Sequence, residues 1–249
     1  MSRHIIIPDT QCKPGVSLDH LSWVGEHIAH RKPDVVVHIG DHWDMPSLST
    51  YDKKGGRKME NARYVDDVDA GNEGMALLLG PILEEMKRDR SWKPRLVFTL
   101  GNHEERIVRA VNDNPHQLEG VIGYHNLDLE EWEVHDYLRP VVIDGVAYAH
   151  YFASGVMGRP VSSASALLTK QHMSCVMGHV QDRDIAYAKR ADGTRMTAIF
   201  AGICYTHDEG YLNPQTNNSW RGIWELNEVD DGAFDEMAVS LSYLEGEYA

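Results

Sequence analysis

No apolar run in this sequence approaches the roughly 20 residues that crossing a bilayer requires, which argues against a membrane-spanning helix. Cysteine is scarce. Cys12, Cys175 and Cys204 are scattered, odd in number and form no C-x-x-C pair, so a disulfide scaffold is not expected and a reducing, cytoplasmic compartment is. Positive charge is also short: 24 Lys and Arg against 38 Asp and Glu leave a net charge of −14. That balance counts against broad binding to duplex nucleic acid, which needs basic surface to displace counterions. It leaves room for a small nucleotide or a strand end held at a metal site, because bound cations reverse the local charge. No G-x-S-x-G or Cys/His signature offers a side-chain nucleophile. The opening "MSRHIIIPDTQ" has a short apolar core and no small-residue cleavage site, and reads as a first strand rather than a signal peptide. Internal repeats, low-complexity tracts and clear linkers are absent.

What is present points to a globular protein: 249 residues, 42% hydrophobic, with six tryptophans, within the range of one large domain. Strand and helix signals alternate at first. "HIII" (4–7), "DVVVHIGD" (34–41) and "RLVFTLGN" (95–102) are buried strands. Leu18, Leu21, Val24 and Ile28 give 17–31 a helical stripe with Ser17 as N-cap. Val65, Val68, Met75, Leu78, Ile82, Leu83 and Met86 give another stripe, expected to be interrupted at Gly80-Pro81. "HEERIVRAVN" (103–112) reads as a helix entered directly from the third strand, and 162–173 as a further one. The polar, glycine-bearing "YDKKGGRKMENARY" marks 45–94 as an insertion or cap. Later the pattern turns to hairpins. Asp144-Gly145 sits between two β-rich runs in 139–151, "SCVMGH" (174–179) is a strand, and two more hairpins turn at a D-G and a D-D-G. Parallel units followed by hairpins predict an α/β (α+β) fold of two mixed sheets with helices outside.

Fourteen histidines is a high count, so position has to select among them. Candidate ligands fall directly after apolar strands: Asp9 after the first, "GDHWD" (40–44) after the second, "GNHE" (101–104) after the third, His150 after the hairpin's second arm and "GHVQ" (178–181) after a later strand. Strand ends of neighbouring parallel strands converge on one crevice. Asp9 and Gln11, like His179 and Gln181, are two residues apart; where the backbone is extended, such pairs share a face. Taken singly, Asp9 fits a helix cap and Asn102 a turn equally well. All five stations in this order are hard to explain as turn chemistry.

The series Asp9-x-Gln11, Gly40-Asp41-x-x-Asp44, Gly101-Asn102-His103-Glu104, His150 and Gly178-His179-x-Gln181 resembles the calcineurin-like metallophosphoesterases, most closely the small stand-alone members often carried by bacteriophages. The match runs from residue 9 to residue 181, and "GDHWD" with "GNHE" is its most specific part. The resemblance implies a four-layer αββα double β-sandwich and two divalent metal ions. Asp41 would bridge them, Asp9 and the residues at 11 and 181 would complete the first site, and Asn102, His150 and His179 the second. The family has histidine where this chain has Gln11 and Gln181. Two losses to the same residue type point to retuning rather than decay: the first site becomes all-oxygen, favouring Mn²⁺, Mg²⁺ or Ca²⁺ with weaker binding, while the second suits Mn²⁺, Fe²⁺ or Zn²⁺.

The implied reaction is hydrolysis of a phosphoester by a hydroxide formed between the two cations. His103, next to Asn102, is the candidate general acid, with Asp44 and Glu104 orienting it or the ligands. A structural role for Glu104 at a helix start is equally open. His42 and Trp43 are candidates for the substrate entrance. Arg159, within "YFASGVMGRPVSSASA", is a candidate phosphate contact, and that segment reads equally as a loop before a helix. "THDE" (206–209) also follows a strand, without a spacing argument for ligation. A phosphodiester of a nucleotide or nucleic-acid end is the favoured substrate. The alternatives are a phosphomonoesterase acting on proteins or small molecules, and a non-catalytic metal-binding scaffold with a degenerate first site.

Overall fold

The first strand shows why the apolar runs are continuous. Ile5 and Ile7 belong to one buried cluster and Ile6 to another, so the strand is covered on both faces. The computed structural model describes residues 1–50, 60–209 and 219–249. In chain order the elements are β1 (Ser2–Ile7), α1 (Asp19–Arg31), β2 (Val35–His38), α2 (Tyr64–Arg88), β3 (Arg95–Thr99), α3 (Glu105–Asp113), α4 (Pro115–Leu118), β4 (Glu133–His135), β5 (Val141–Ile143) and β6 (Val146–Ala149). They continue as β7 (Ala153–Ser154), β8 (Arg159–Pro160), α5 (Ala164–Gln171), β9 (Ser174–Met177), β10 (Arg183–Lys189), β11 (Arg195–Ala201), β12 (Gly222–Asp230), β13 (Ala233–Ser240) and α6 (Leu241–Tyr248).

One sheet has the order β13-β12-β1-β2-β3-β4, with β1 to β4 parallel and β12 and β13 added antiparallel. The other runs β10-β11-β9-β6-β5, parallel through β11, β9 and β6 with an antiparallel strand at each edge. Ile6, Val37 and Val97 of the first sheet meet Val146, Tyr148, Val176 and Ile199 of the second in a shared core. Leu21, Val24 and Ile28 of α1, Met75, Leu78 and Ile82 of α2 and Leu244 of α6 cover the first sheet's outer face. Leu167 and Leu168 of α5 cover the second sheet beside Cys175, Met177 and Phe200. The layers are therefore helix, sheet, sheet, helix, the α/β double sandwich expected.

Several local expectations need correction. Ser17 is not the N-cap of α1. The helix begins at Asp19 behind Leu18, and Ser17 Oγ instead exchanges hydrogen bonds with Asp19, accepting from its N–H at 3.3 Å and donating to Oδ2 at 2.9 Å. The helical stripe 65–86 is not interrupted at Gly80-Pro81. α2 runs unbroken from Tyr64 to Arg88 with Pro81 inside it. An interior proline costs about 3 kcal/mol, and packing offsets it. α1 and α2 touch so closely that a Cβ on Gly25 would lie 2.4 Å from Leu78 O and 3.2 Å from Pro81 Cδ. The part of 45–94 that forms α2 thus contributes to the core, whereas positions 51–59 of its polar stretch lie outside the described residues. The Asp144-Gly145 turn has positive φ at both residues (48° and 82°), as a two-residue hairpin of the I′ kind demands. The short β4 and the C-terminal α6 had no counterpart in the sequence reading. Among the described residues, no helix is long and apolar enough to cross a membrane.

Burial also sets an acid limit on the fold. His20, 1% exposed on α1, has its pKa pushed down to about 4 by burial. The unfolded chain takes this proton near pH 6.5 and the folded chain resists it to about 4, so the associated stability is full above 6.5 and lost on acidification. His20→Leu is expected to reduce the drop in unfolding free energy between pH 7 and pH 5 by about 2 kcal/mol. Urea melts at both pH values measure this; an unchanged drop would exclude His20 as a source of it.

Candidate metal centre

Asp9, Asp41 and Asn102 follow the carboxyl ends of the parallel strands β1, β2 and β3; His150 and His179 follow β6 and β9. The two sheets are joined at these ends. His179 N–H donates to Asp9 Oδ1 at 3.1 Å and His150 Nδ1 donates to Ile39 O at 2.9 Å, while within the second sheet Gly178 N–H donates to His150 O at 2.9 Å. Residues 170 positions apart in sequence therefore share one hydrogen bond.

With its Nδ1 proton spent on Ile39, His150 turns Nε2 toward three other atoms: Asn102 Oδ1 at 2.9 Å, His179 Nδ1 at 3.2 Å and Asp41 Oδ2 at 3.3 Å. His179 Nδ1 lies 2.7 Å from the same Asn102 oxygen. One ligand atom each from Asp41, His150 and His179 lies within 4.8 Å of the others, a group able to hold a metal ion. An oxygen and nitrogen set of this kind, with lone pairs turned inward, fits a divalent cation. The field points the same way. Burial opposes charge on His150, but Asp41, hydrogen-bonded to it, and Asp9 raise its pKa to about 9. Burial and the neighbouring His150 lower His179 to about 4, which leaves it neutral.

Asp41 is the centre of the arrangement. Burial disfavours its charge, yet His103, His150 and the hydrogen bonds they make hold it well below the usual carboxylate range. Asp9 behaves oppositely: burial raises it to about 7, His150 pulls it back and Asp41 pushes it further up. Its Oδ2 is buried without a hydrogen-bond partner, an orphaned carboxylate oxygen that a cation would satisfy. Gln11 is buried beside it, and Gln181 is half-buried beyond His179. The extended backbone considered for the two i, i+2 pairs is not what forms. Gln11 and His179 adopt φ of 39° and 63°, and Asp41 joins them at 51°. Non-glycine residues in this region cost about 1 kcal/mol or more each. The loops interlock to hold them: Thr10 and Gln11 N–H both donate to Asp41 O, at 3.2 and 2.9 Å. At Gly101 a Cβ would stand 2.1 Å from Asp41 Oδ1, so only glycine fits behind the central carboxylate.

Glu104 holds this frame. It is fully buried, and its Oε2 accepts the backbone N–H groups of Asp41 (3.0 Å) and Gly101 (2.8 Å) while Oε1 accepts those of His42 (2.7 Å) and Trp43 (3.1 Å). His103 stands beside it, 6% exposed. Its Nδ1 lies 2.8 Å from Asp44 Oδ1, its backbone N–H donates to Asp41 Oδ1 at 2.9 Å, and its Nε2 is 3.7 Å from Asp41 Oδ2. Burial works against the charge of His103, but Asp41 and Asp44 raise its pKa overall.

His42 and Trp43 do not line an entrance, since both are fully buried. Gly40 N–H donates to His38 Nδ1 (3.2 Å), His38 Nε2 to Thr10 Oγ1 (3.2 Å), Thr10 Oγ1 to His42 Nδ1 (2.7 Å) and His42 Nε2 to Gly71 O (2.9 Å). Every donor in that chain meets an acceptor only if both rings are neutral, and burial lowers both their pKa values, His42 to about 4. The chain fastens the β1 and β2 loops to α2. Arg159 is exposed on β8, in a small hairpin with β7 rather than a loop. That hairpin reaches the centre through Tyr151, whose hydroxyl donates to Gly158 O at 3.3 Å and whose ring lies 4.8 Å from that of His179.

No family model matches the sequence, and no curated protein does. Among solved structures the chain is similar to YfcE, a phosphoesterase from E. coli, at 12% identity, over 96% of this chain and 100% of that one, with a TM-score of 0.42.

Two charged residues at the centre, Lys13 and Arg106, were missed by sequence reasoning. Lys13 Nζ lies 3.3 Å from Asp44 Oδ2 and 2.5 Å from Glu209 Oε1, and Glu209 in turn is 2.7 Å from His207 Nε2. The segment 206–209 thus reaches the crevice by way of Lys13. Arg106 donates through Nη1 to Asp44 O (2.8 Å) and Met45 O (3.1 Å), and through Nη2 to His103 Nε2 (2.9 Å). Its spacing of three from His103, at a helix start, was the one available signal.

Proposed function

We propose that this protein is a dinuclear metal-dependent phosphoesterase of the calcineurin-like kind, acting on a phosphodiester of a nucleotide or nucleic-acid end. The observation that carries the reading is the convergence of Asp41, Asn102, His150 and His179 beside a His103–Asp44 pair. Asp41, Asn102, His150 and His179 would hold one cation, and Asp9, Gln11, Asp41 and Gln181 a second and weaker one. When bound, the cations supply positive charge for the phosphoryl oxygens and make water acidic enough to attack near neutral pH, with Mn²⁺ suiting both donor sets.

The remaining work falls to the protein. Water adds its oxygen to phosphorus and releases one proton to solvent, the ester P–O bond breaks, and the departing oxygen takes a proton from the protonated His103 Nε2 and leaves as an alcohol, after which solvent returns a proton to the ring. Asp44 Oδ1, 2.8 Å from His103 Nδ1, forms an ion pair with the protonated ring and leaves Nε2 to face the ester. Asp41 and His103 are only 2% and 6% exposed, so a single slender ester fits better than a duplex, as the charge of −14 also favours.

The test is hydrolysis of bis-p-nitrophenyl phosphate and p-nitrophenyl phosphate with Mn²⁺ and with chelator, alongside calorimetric Mn²⁺ titration. The diester is expected to be cleaved faster, only with metal, and not by Asp41→Asn; the titration should show one tight and one weak site. Equal background rates in every case would favour the scaffold reading, and two equally tight sites would contradict the all-oxygen assignment.

A further inference from the structure

Both ring nitrogens of His103 are already engaged: Nδ1 by Asp44 and Nε2 by the Arg106 guanidinium. A guanidinium only donates, so without substrate the Nε2 that meets it carries a lone pair and the ring proton sits on Nδ1 toward Asp44; Nε2 takes up the proton it gives the leaving oxygen only once Nη2 has passed to the ester. His103 is nearly buried, whereas Arg106 on α3 is half-buried and meets the ring at Nε2. A substrate oxygen that is to lie within hydrogen-bond reach of Nε2 must therefore arrive where Nη2 now points. The guanidinium has little freedom to withdraw, because its Nη1 is tied to the carbonyls of Asp44 and Met45, and Met45 is itself held at a φ of 50°. An oxygen placed at Nε2 thus meets Nη2 as well.

We propose that Arg106 is a substrate-binding residue, whose Nη2 exchanges its acceptor, His103 Nε2, for the same phosphoester oxygen that His103 serves. The proposal rests on the phosphoesterase reading for the identity of that ester. Its recognition element is a planar cation anchored along one edge and presented to an anion along the other. Lysine cannot reproduce this, since one ammonium cannot both hold two carbonyls and reach the anion in a fixed direction.

The experiment measures binding of inorganic phosphate to the Mn²⁺-loaded full chain by calorimetry, for wild type, Arg106→Ala and Arg106→Lys. Arg106→Ala is expected to weaken phosphate binding about 10- to 100-fold, the range of a hydrogen bond to a charged group, and Arg106→Lys by less. Mn²⁺ affinity should be unchanged in both, which a general loosening of the loops would not leave intact. Equal phosphate affinity in wild type and variants, or no phosphate binding by wild type, would overturn the assignment. Should Arg106→Ala not fold, Arg106→Lys decides on the same criterion. Arg106-dependent phosphate binding without hydrolysis of either p-nitrophenyl ester would remove the phosphoesterase reading and leave Arg106 as an anion site. Hydrolysis with phosphate affinity independent of Arg106 would remove only the latter.

Discussion

Glu104→Gln is expected to lower the unfolding free energy by about 4 kcal/mol, a large share of the roughly 5–15 kcal/mol that holds a typical domain together. The reason is donor and acceptor arithmetic. Both carboxylate oxygens of Glu104 accept two buried backbone N–H groups, from Asp41 and Gly101 on one and from His42 and Trp43 on the other. An amide keeps one acceptor oxygen and turns an NH₂ toward the other pair, leaving two buried N–H groups without an acceptor and facing a donor. Each such group costs about 1–3 kcal/mol. The same four contacts fix the loop that carries Asp41, so Mn²⁺ affinity should fall together with stability. Urea denaturation with and without Mn²⁺ measures both. A loss under about 1 kcal/mol would show that the loop finds other acceptors and that Glu104 does not hold it.

His103→Ala should act on chemistry and spare the metal. A positioned general acid contributes about 10²- to 10⁴-fold. That full loss is expected in kcat for a diester whose leaving group is an alcohol, such as a dinucleotide. For a p-nitrophenyl ester, whose phenolate departs with little protonation, the loss should be much smaller. His103 meets Asp41 through its backbone N–H at 2.9 Å and through Nε2 at 3.7 Å. An alanine keeps the first contact, so Mn²⁺ affinity should be preserved. Equal losses on both esters would remove His103 from the proton transfer and leave it a positioning role beside Asp41.

The sequence reading of the strands succeeded where burial on both faces writes itself as a continuous apolar run. β2, β3 and β9 lie within the expected segments, β1 covers its own and begins earlier, at Ser2, and Asp144-Gly145 turns as its chemistry requires. It failed where packing overrode local preference. Pro81 is tolerated inside α2 because that helix lies tightly against Gly25 of α1, and nothing within a few residues of Pro81 records that contact. The same cause misplaced His42 and Trp43. Lying inside a ligand-bearing motif says nothing about whether a side chain points outward to a crevice or back into the core, and both point back.

Residue types and strand ends alone determined which donors were available: carboxylates, imidazoles and amides, each set directly after an apolar strand. Only the tertiary structure decided who speaks to whom. Glu104 gathering the N–H groups of residues some 60 positions away, Lys13 joining Asp44 to Glu209 across 196 residues, and Arg106 meeting His103 at Nε2 depend on how the loops fold over one another. A hydrogen bond is lost over a displacement of about half an ångström, and no spacing along a chain fixes a distance that finely between two different loops.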